Sequence, residues 1–302
     1  MKNVSARARL FILAGLTGLL LLVLLPLLLP SPSVNENKAT WVWEAKLIRS
    51  QAEEIVSFSM NEGITTIFLQ IQQEVRDEDY RRFNALAHRA GIEVHALDGH
   101  PEWAYSQGLD EGMKLLSWLE RFHAASRPEE RFDGIQFDVE PYVRERWEQE
   151  QQQVVAEWSI NMSAWAREAS RQGLYISAAV PFWLDRIPGP SGSGSFSRWI
   201  ISRMDAIAVM AYRDDGELMY ELSRQELEQA DELGKQVWIG MELGNTDEGD
   251  HLTFYSKSEQ AMEEEAQRAA TLGSGHPSFA GLAVHHYQAW MDRRMSMAEE
   301  ER

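Results

Sequence analysis

Cysteine is absent from the 302 residues, which excludes a disulfide framework, a thiolate metal site and a cysteine nucleophile. Positive charge is scarce: 29 Lys and Arg stand against 47 Asp and Glu, a formal charge of −18. So acidic a chain repels nucleic acid, teichoic acid and anionic lipid, and a neutral or cationic ligand suits it better. No G-x-G-x-x-G and no Walker sequence follows any apolar run, so the ordinary phosphate cradle for a nucleotide is missing. The first apolar run of the main body reads Trp41-Val42-Trp43, without the H-x-H pair of metal-dependent barrel hydrolases. Neither a metal nor a cofactor is expected. Aromatic rings, by contrast, are plentiful, with 11 Trp and 8 Tyr; such rings stack against sugar faces, although most pack in cores.

Lys2, Arg7 and Arg9 precede Leu10 to Leu29, a run without charge that is long enough to cross a bilayer. The run leads into Pro26, Pro30 and Pro32 with no A-x-A site. Residues 1–30 therefore read as a signal anchor with its basic end inside, in preference to a cleaved signal peptide. The expectation is a cell-membrane protein held by one N-terminal helix, its body outside the cytoplasm, or a secreted protein if the segment is cut. Ser31 to Thr40 reads as a polar linker, and 41–302 as one domain.

Within that domain, eight short apolar runs alternate with longer amphipathic segments: Thr40 to Ala45, Ile64 to Ile71, Ile92 to Leu97, Phe132 to Glu140, Leu174 to Phe182, Ala206 to Tyr212, Gln236 to Glu242 and Phe279 to Tyr287. Helical segments between them stop at Gly63, Gly91, Gly173, Gly234 and Gly273, as carboxyl caps require. Strict strand and helix alternation over about 260 residues predicts a (β/α)8 TIM barrel, with a doubly wound open sheet as the alternative. The tail from Met295 to Arg302 reads as a frayed end.

A barrel binds ligands at the carboxyl ends of its strands. Trp43 stands there on the first run, and Asp98 followed by Trp103 on the third. Trp183 follows the fifth, Tyr212 and Arg213 the sixth, Glu242 the seventh, and His285, Tyr287 and later Trp290 the eighth. The fourth run, Arg131 to Tyr142, is the most informative. Gln136, Asp138 and Glu140 alternate with Ile135, Phe137 and Val139, so the polar three share one face about 6 to 7 Å apart. Two carboxylates are thus fixed close together on rigid backbone, and Pro141 ends the strand just beyond them.

The stretch Asp133-Gly134-Ile135-Gln136-Phe137-Asp138-Val139-Glu140 resembles the D-x-x-D-x-D-x-E strand of glycoside hydrolase family 18, the chitinases and endo-β-N-acetylglucosaminidases, with Gln136 in place of the second Asp. Met210-Ala211-Tyr212 is similar to that family's M-x-Y motif, with Arg213 where an Asp usually follows. The third strand lacks the family's S-x-G-G, and the eighth offers His285-His286-Tyr287 in place of its Trp floor. The resemblance implies a (β/α)8 barrel and substrate-assisted hydrolysis of a β-linked N-acetylglucosamine polymer. Glu140 would be the acid and later the base, with its pKa raised by the neighbouring carboxylate. Asp138 would orient the 2-acetamido group and Tyr212 would bond its carbonyl. Asp133 and Gln136 would support the substrate site, and Trp43, Trp103, Trp183 and Trp290 would stack on sugars. Three other readings stand beside this one: a retaining glycosidase using Glu140 and Glu242, an inactive barrel that only binds glycan, and a metal hydrolase built on His95, His100, Asp98, His285 or His286.

Overall fold

The computed structural model describes residues 34–300. The expected membrane anchor, 1–30, lies outside them, and among the described residues no helix is long and apolar enough to cross a membrane. Eight strands form a closed barrel in chain order: β1 (Lys38–Val42), β2 (Ile64–Gln70), β3 (Glu93–Asp98), β4 (Gly134–Asp138), β5 (Tyr175–Pro181), β6 (Ala206–Met210), β7 (Gln236–Glu242) and β8 (Phe279–His285). Every pairing is parallel, which is why the strands are continuous apolar runs: both faces are covered.

A helix follows each strand: α1 (Ala52–Glu62), α2 (Asp77–Arg89), α3 (Leu109–Ala124), α4 (Glu145–Gln172), α5 (Phe196–Ile201), α6 (Gly216–Leu233), α7 (Glu259–Gly273) and α8 (Tyr287–Glu300). Gly63, Gly173 and Gly234 end α1, α4 and α6 in the left-handed region, where a side chain would be strained. Gly273 does something else. It is the last residue of α7, and the Phe279 ring lies 2.8 Å from where its Cβ would stand.

Large side chains and alanines together fill the barrel interior. Trp41, Phe68, Leu97 and Trp238 interdigitate with Ala206, Ala208 and Ala283, the packing of a plugged barrel with no channel. The floor, at the amino ends of the strands, is closed by polar side chains that satisfy backbone. Asp133 accepts the Val94 N–H at 2.7 Å, Asp205 the Ile176 N–H at 3.1 Å and Asp231 the Ser278 N–H at 2.8 Å. Asn35 Nδ2 donates to the carbonyls of Phe279 and Ala280, each at 3.0 Å.

Two boundaries differ from expectation. β1 starts at Lys38, inside the stretch read as linker, because that stretch pairs with β2 and β8. The last helix continues through the supposed frayed end to Glu300; Arg293 and Arg294 anchor it by ion pairs to Glu259 and Glu62 at 2.7 Å.

Candidate active site

Asp138 is the last residue of β4, and Glu140 opens the short 3-10 turn Pro141–Val143. Proline has no N–H for the ladder and presets its own φ, so the chain leaves the sheet with the Glu140 carboxyl at the mouth. A cleft of about 470 Å³ opens there. Asp138, Glu140 and Tyr142 form one wall, Phe182 and Trp183 the next, then Tyr212 and Arg213, with Trp43 and His285 opposite.

Glu140 Oε2 accepts the Tyr142 phenol at 2.5 Å. Asp138 is half-buried, and its Oδ1 is enclosed with no partner among the described residues. Burial, and then the negative charge of Glu140, push the Asp138 carboxyl up to about 8, so Asp138 keeps a proton into the neutral range. Burial, and then the Glu140 carboxylate, raise the pKa of the Tyr142 phenol. Tyr212 is raised by burial and by Glu242, Asp138 and Glu140. Both tyrosines are therefore hydroxyl donors throughout the working pH range.

Backbone makes room for this pair. A Cβ on Gly99, just past β3, would come 1.8 Å from the Asp138 carbonyl oxygen, so the loop presses directly on the residue that carries the carboxyl.

His285 is held by its neighbours. The Trp43 indole N–H donates to its Nε2 at 3.1 Å, and its Nδ1 lies 2.6 Å from Glu242 Oε2. An indole N–H only donates, so the network assigns the proton to Nδ1, which donates to Glu242. The other oxygen, Oε1, accepts the Gly244 N–H at 2.5 Å. Glu242 is thus committed on both oxygens behind His285, and it does not line the cleft.

Several expected site residues lie elsewhere. Gln136 shares the face of Asp138 but is fully enclosed in the barrel, where its Oε1 accepts the Trp41 indole N–H at 2.7 Å and its amide nitrogen meets Ser177 at 3.4 Å. It sits about 6 to 7 Å below Asp138 along the strand, beneath the cleft and not in it. Asp133 precedes β4 and caps the floor, bonded to His88 at 2.8 Å. Asp98 points away from the cleft and accepts from Gln70 at 3.0 Å and from the Gly99 N–H at 2.9 Å; burial raises its pKa. Trp103 packs edge-on against Phe137 and Trp165, in the layer between sheet and helices. Tyr287 and Trp290 are buried and pack edge-on against Phe58 of α1. In each case an aromatic ring placed after a strand end found apolar surface behind the barrel before it could reach the mouth.

The cleft also contains residues that the sequence did not single out as site residues: Tyr142, Phe182, and Glu248 and Leu252 from the loop after β7. Tyr142 stands two residues beyond the acid, a spacing that could have suggested it. The loop residues carried no signal.

No family model and no curated protein sequence matches the chain. Solved structures match it in fold. A chitinase from Bacteroides thetaiotaomicron aligns over 84% of this chain and 90% of its own, with TM-score 0.54 and 10% identity. A proposed alpha-L-fucosidase from the same organism aligns over 86% and 90%, with TM-score 0.54 and 11% identity. A beta-glucosidase aligns over 80% and 78%, with TM-score 0.50 and 10% identity. The chain therefore shares its (β/α)8 barrel fold with those structures, with a sequence far from theirs.

Proposed function

We propose that the protein is a divergent relative of glycoside hydrolase family 18 that cleaves a β-linked glycan containing N-acetylglucosamine by substrate-assisted retention. The observation that carries this reading is the carboxyl pair at the end of β4: Glu140 exposed to the cleft and bonded to Tyr142, and Asp138 beside it with an enclosed, unpartnered oxygen. The proton that Asp138 holds would pass to Glu140 as the substrate enters, leaving Asp138 a carboxylate; Glu140 would protonate the glycosidic oxygen, then take a proton from the water that completes hydrolysis. Asp138 would accept the N–H of the sugar's 2-acetamido group, which gives its orphaned oxygen a partner. The acetamido carbonyl would then attack the anomeric carbon, with Tyr212 donating to that carbonyl. Asp138 would offset the positive charge that develops on the ring. Trp43 and Trp183 would supply flat walls for the sugar.

A covalent mechanism on Glu242 is less well supported, because both of its oxygens are occupied by His285 and Gly244. The uncharged run Leu10 to Leu29 supports an action outside the cytoplasm at a membrane. Product analysis on chitin oligosaccharides and on peptidoglycan tests the proposal. Glu140→Gln is expected to lower kcat by about 10³, while Glu242→Gln keeps measurable hydrolysis. Equal activity of wild type and Glu140→Gln, or a sugar trapped covalently on Glu242, refutes it. Affinity without any cleavage would make the barrel a glycan-binding module.

A further inference from the structure

This inference rests on the function just proposed and narrows its substrate. Arg213 follows β6 and lines the cleft. Its guanidinium lies over the Phe182 ring, 5.4 Å from the centroid, and one Nη1–H donates to the Tyr212 carbonyl at 2.5 Å. Stacking and that single bond fix the plane of the fork. Two acids near it pair with other bases: Asp214 with Lys257 at 2.6 Å, and Asp185, without a hydrogen bond, with Arg186 at 3.8 Å. Asp138, Glu140 and Glu248 line the same cleft, and none of them forms an ion pair with Arg213 among the described residues. In a chain with a formal charge of −18, an oriented, half-buried guanidinium facing a cleft without a counter-ion is a receptor for an anion from outside.

We infer that Arg213 is a specificity-determining residue that receives a carboxylate on the sugar chain. The substrate class is then a β-linked N-acetylhexosamine glycan in which some units carry a carboxyl group, as an O-lactyl ether or as a uronic acid. A planar carboxylate matches the fork with two parallel N–H···O bonds, a geometry that a hydroxyl cannot supply. The negative surface charge acts over a screening length of about 8 Å at physiological salt. It disfavours a densely charged polymer at long range and leaves a contact of a few ångströms intact.

The test uses three tetrasaccharides: chitotetraose without charge, a hyaluronan fragment carrying uronic acids, and a peptide-free peptidoglycan fragment carrying lactyl ethers. Each is titrated by calorimetry against the full chain bearing Glu140→Gln, and its cleavage by wild type is followed separately. One carboxylated fragment is expected to bind at least tenfold more tightly than chitotetraose, and which one identifies the source of the carboxylate. Adding Arg213→Gln should bring that ratio near one, and Arg213→Lys should leave it in between. Equal affinity for all three, no binding of any, or a preference that survives Arg213→Gln overturns the inference. An Arg213-dependent preference without cleavage keeps the inference and refutes the hydrolase, whereas cleavage without a carboxylate preference does the reverse.

Discussion

The two ends of the barrel use the same side chains to opposite ends. At the floor, Asp133 and Asp231 each pair with a histidine, at 2.8 and 2.7 Å, and each also accepts a strand-opening backbone N–H. Each of these acids has its counterpart, and the arrangement ties strands together. At the mouth, Glu242 and His285 form a similar pair at 2.6 Å, yet Asp138 at the end of β4 has an orphaned oxygen, and Arg213, just past β6, has no counter-ion among the described residues. Buried polar groups are normally satisfied. Asp138 and Arg213 both border the cleft, where a ligand can satisfy what the protein leaves open.

The comparison can be broken first at Gly99. Its absent Cβ would lie 1.8 Å from the Asp138 carbonyl, so Gly99→Ala must displace the acid, and a shift of about 1 Å costs on the order of 10²-fold in rate. Steady-state kinetics check this; unchanged kcat would mean that the site tolerates movement of Asp138.

Asp138→Asn sharpens the contrast in stability. The folded carboxyl titrates near 8 and an unfolded one near 3.9, so between those values the folded state holds a proton that the unfolded state has lost. Stability therefore falls as pH rises from about 4 to about 8. The variant should melt about 5 °C higher than wild type at pH 8, with little difference at pH 4, while losing activity. A lower melting temperature at pH 8 would show that the acid is structurally satisfied.

The floor should respond in the opposite sense and more weakly. Burial raises the Asp133 carboxyl, but hydrogen bonds from His88 and the Val94 N–H outweigh it and leave the pKa lowered. That stabilisation is present above about 3.9 and is lost as pH falls through the lower folded value. His88 is raised by its bond to Asp133, so its share is complete below about 6.5 and is lost as pH rises through the raised value. Asp133→Asn should lower the melting temperature by roughly 3 °C near pH 5.5 and by less at pH 9, with kcat unchanged. A fall in kcat would place Asp133 in the site after all.

The fold was legible because its signals are local. Apolar runs of the right length and glycine stops such as Gly63 and Gly173 mark strands and helix ends without reference to anything distant. The carboxyl pair was legible too, since alternation along one strand puts Asp138 and Glu140 together. Alternation gives the face of a residue and not its depth, so Gln136 read as a neighbour of the ligand when it is the acceptor for Trp41 inside the barrel. Resemblance to a motif likewise drew in Asp133, which opens the strand at the far end. Trp103, Tyr287 and Trp290 follow strand ends, where a ring can turn to the mouth or to the helices. The Glu242 to His285 bond needs the register of β7 against β8, and Glu248 and Leu252 belong to a loop whose path no pattern predicts.

The side-chain chain from Glu242 through His285 to Trp43 joins β7, β8 and β1 across the seam where the first and last strands meet. That seam has only three paired positions, ending at Thr40 and Val284, whereas β7 and β8 pair as far as Glu242 and His285. Above Thr40 the barrel is fastened by an imidazole and an indole. A sugar that displaced Trp43 would loosen the rim without unzipping any strand, so the upper part of β1 is where amide exchange should change most between the empty and the filled cleft.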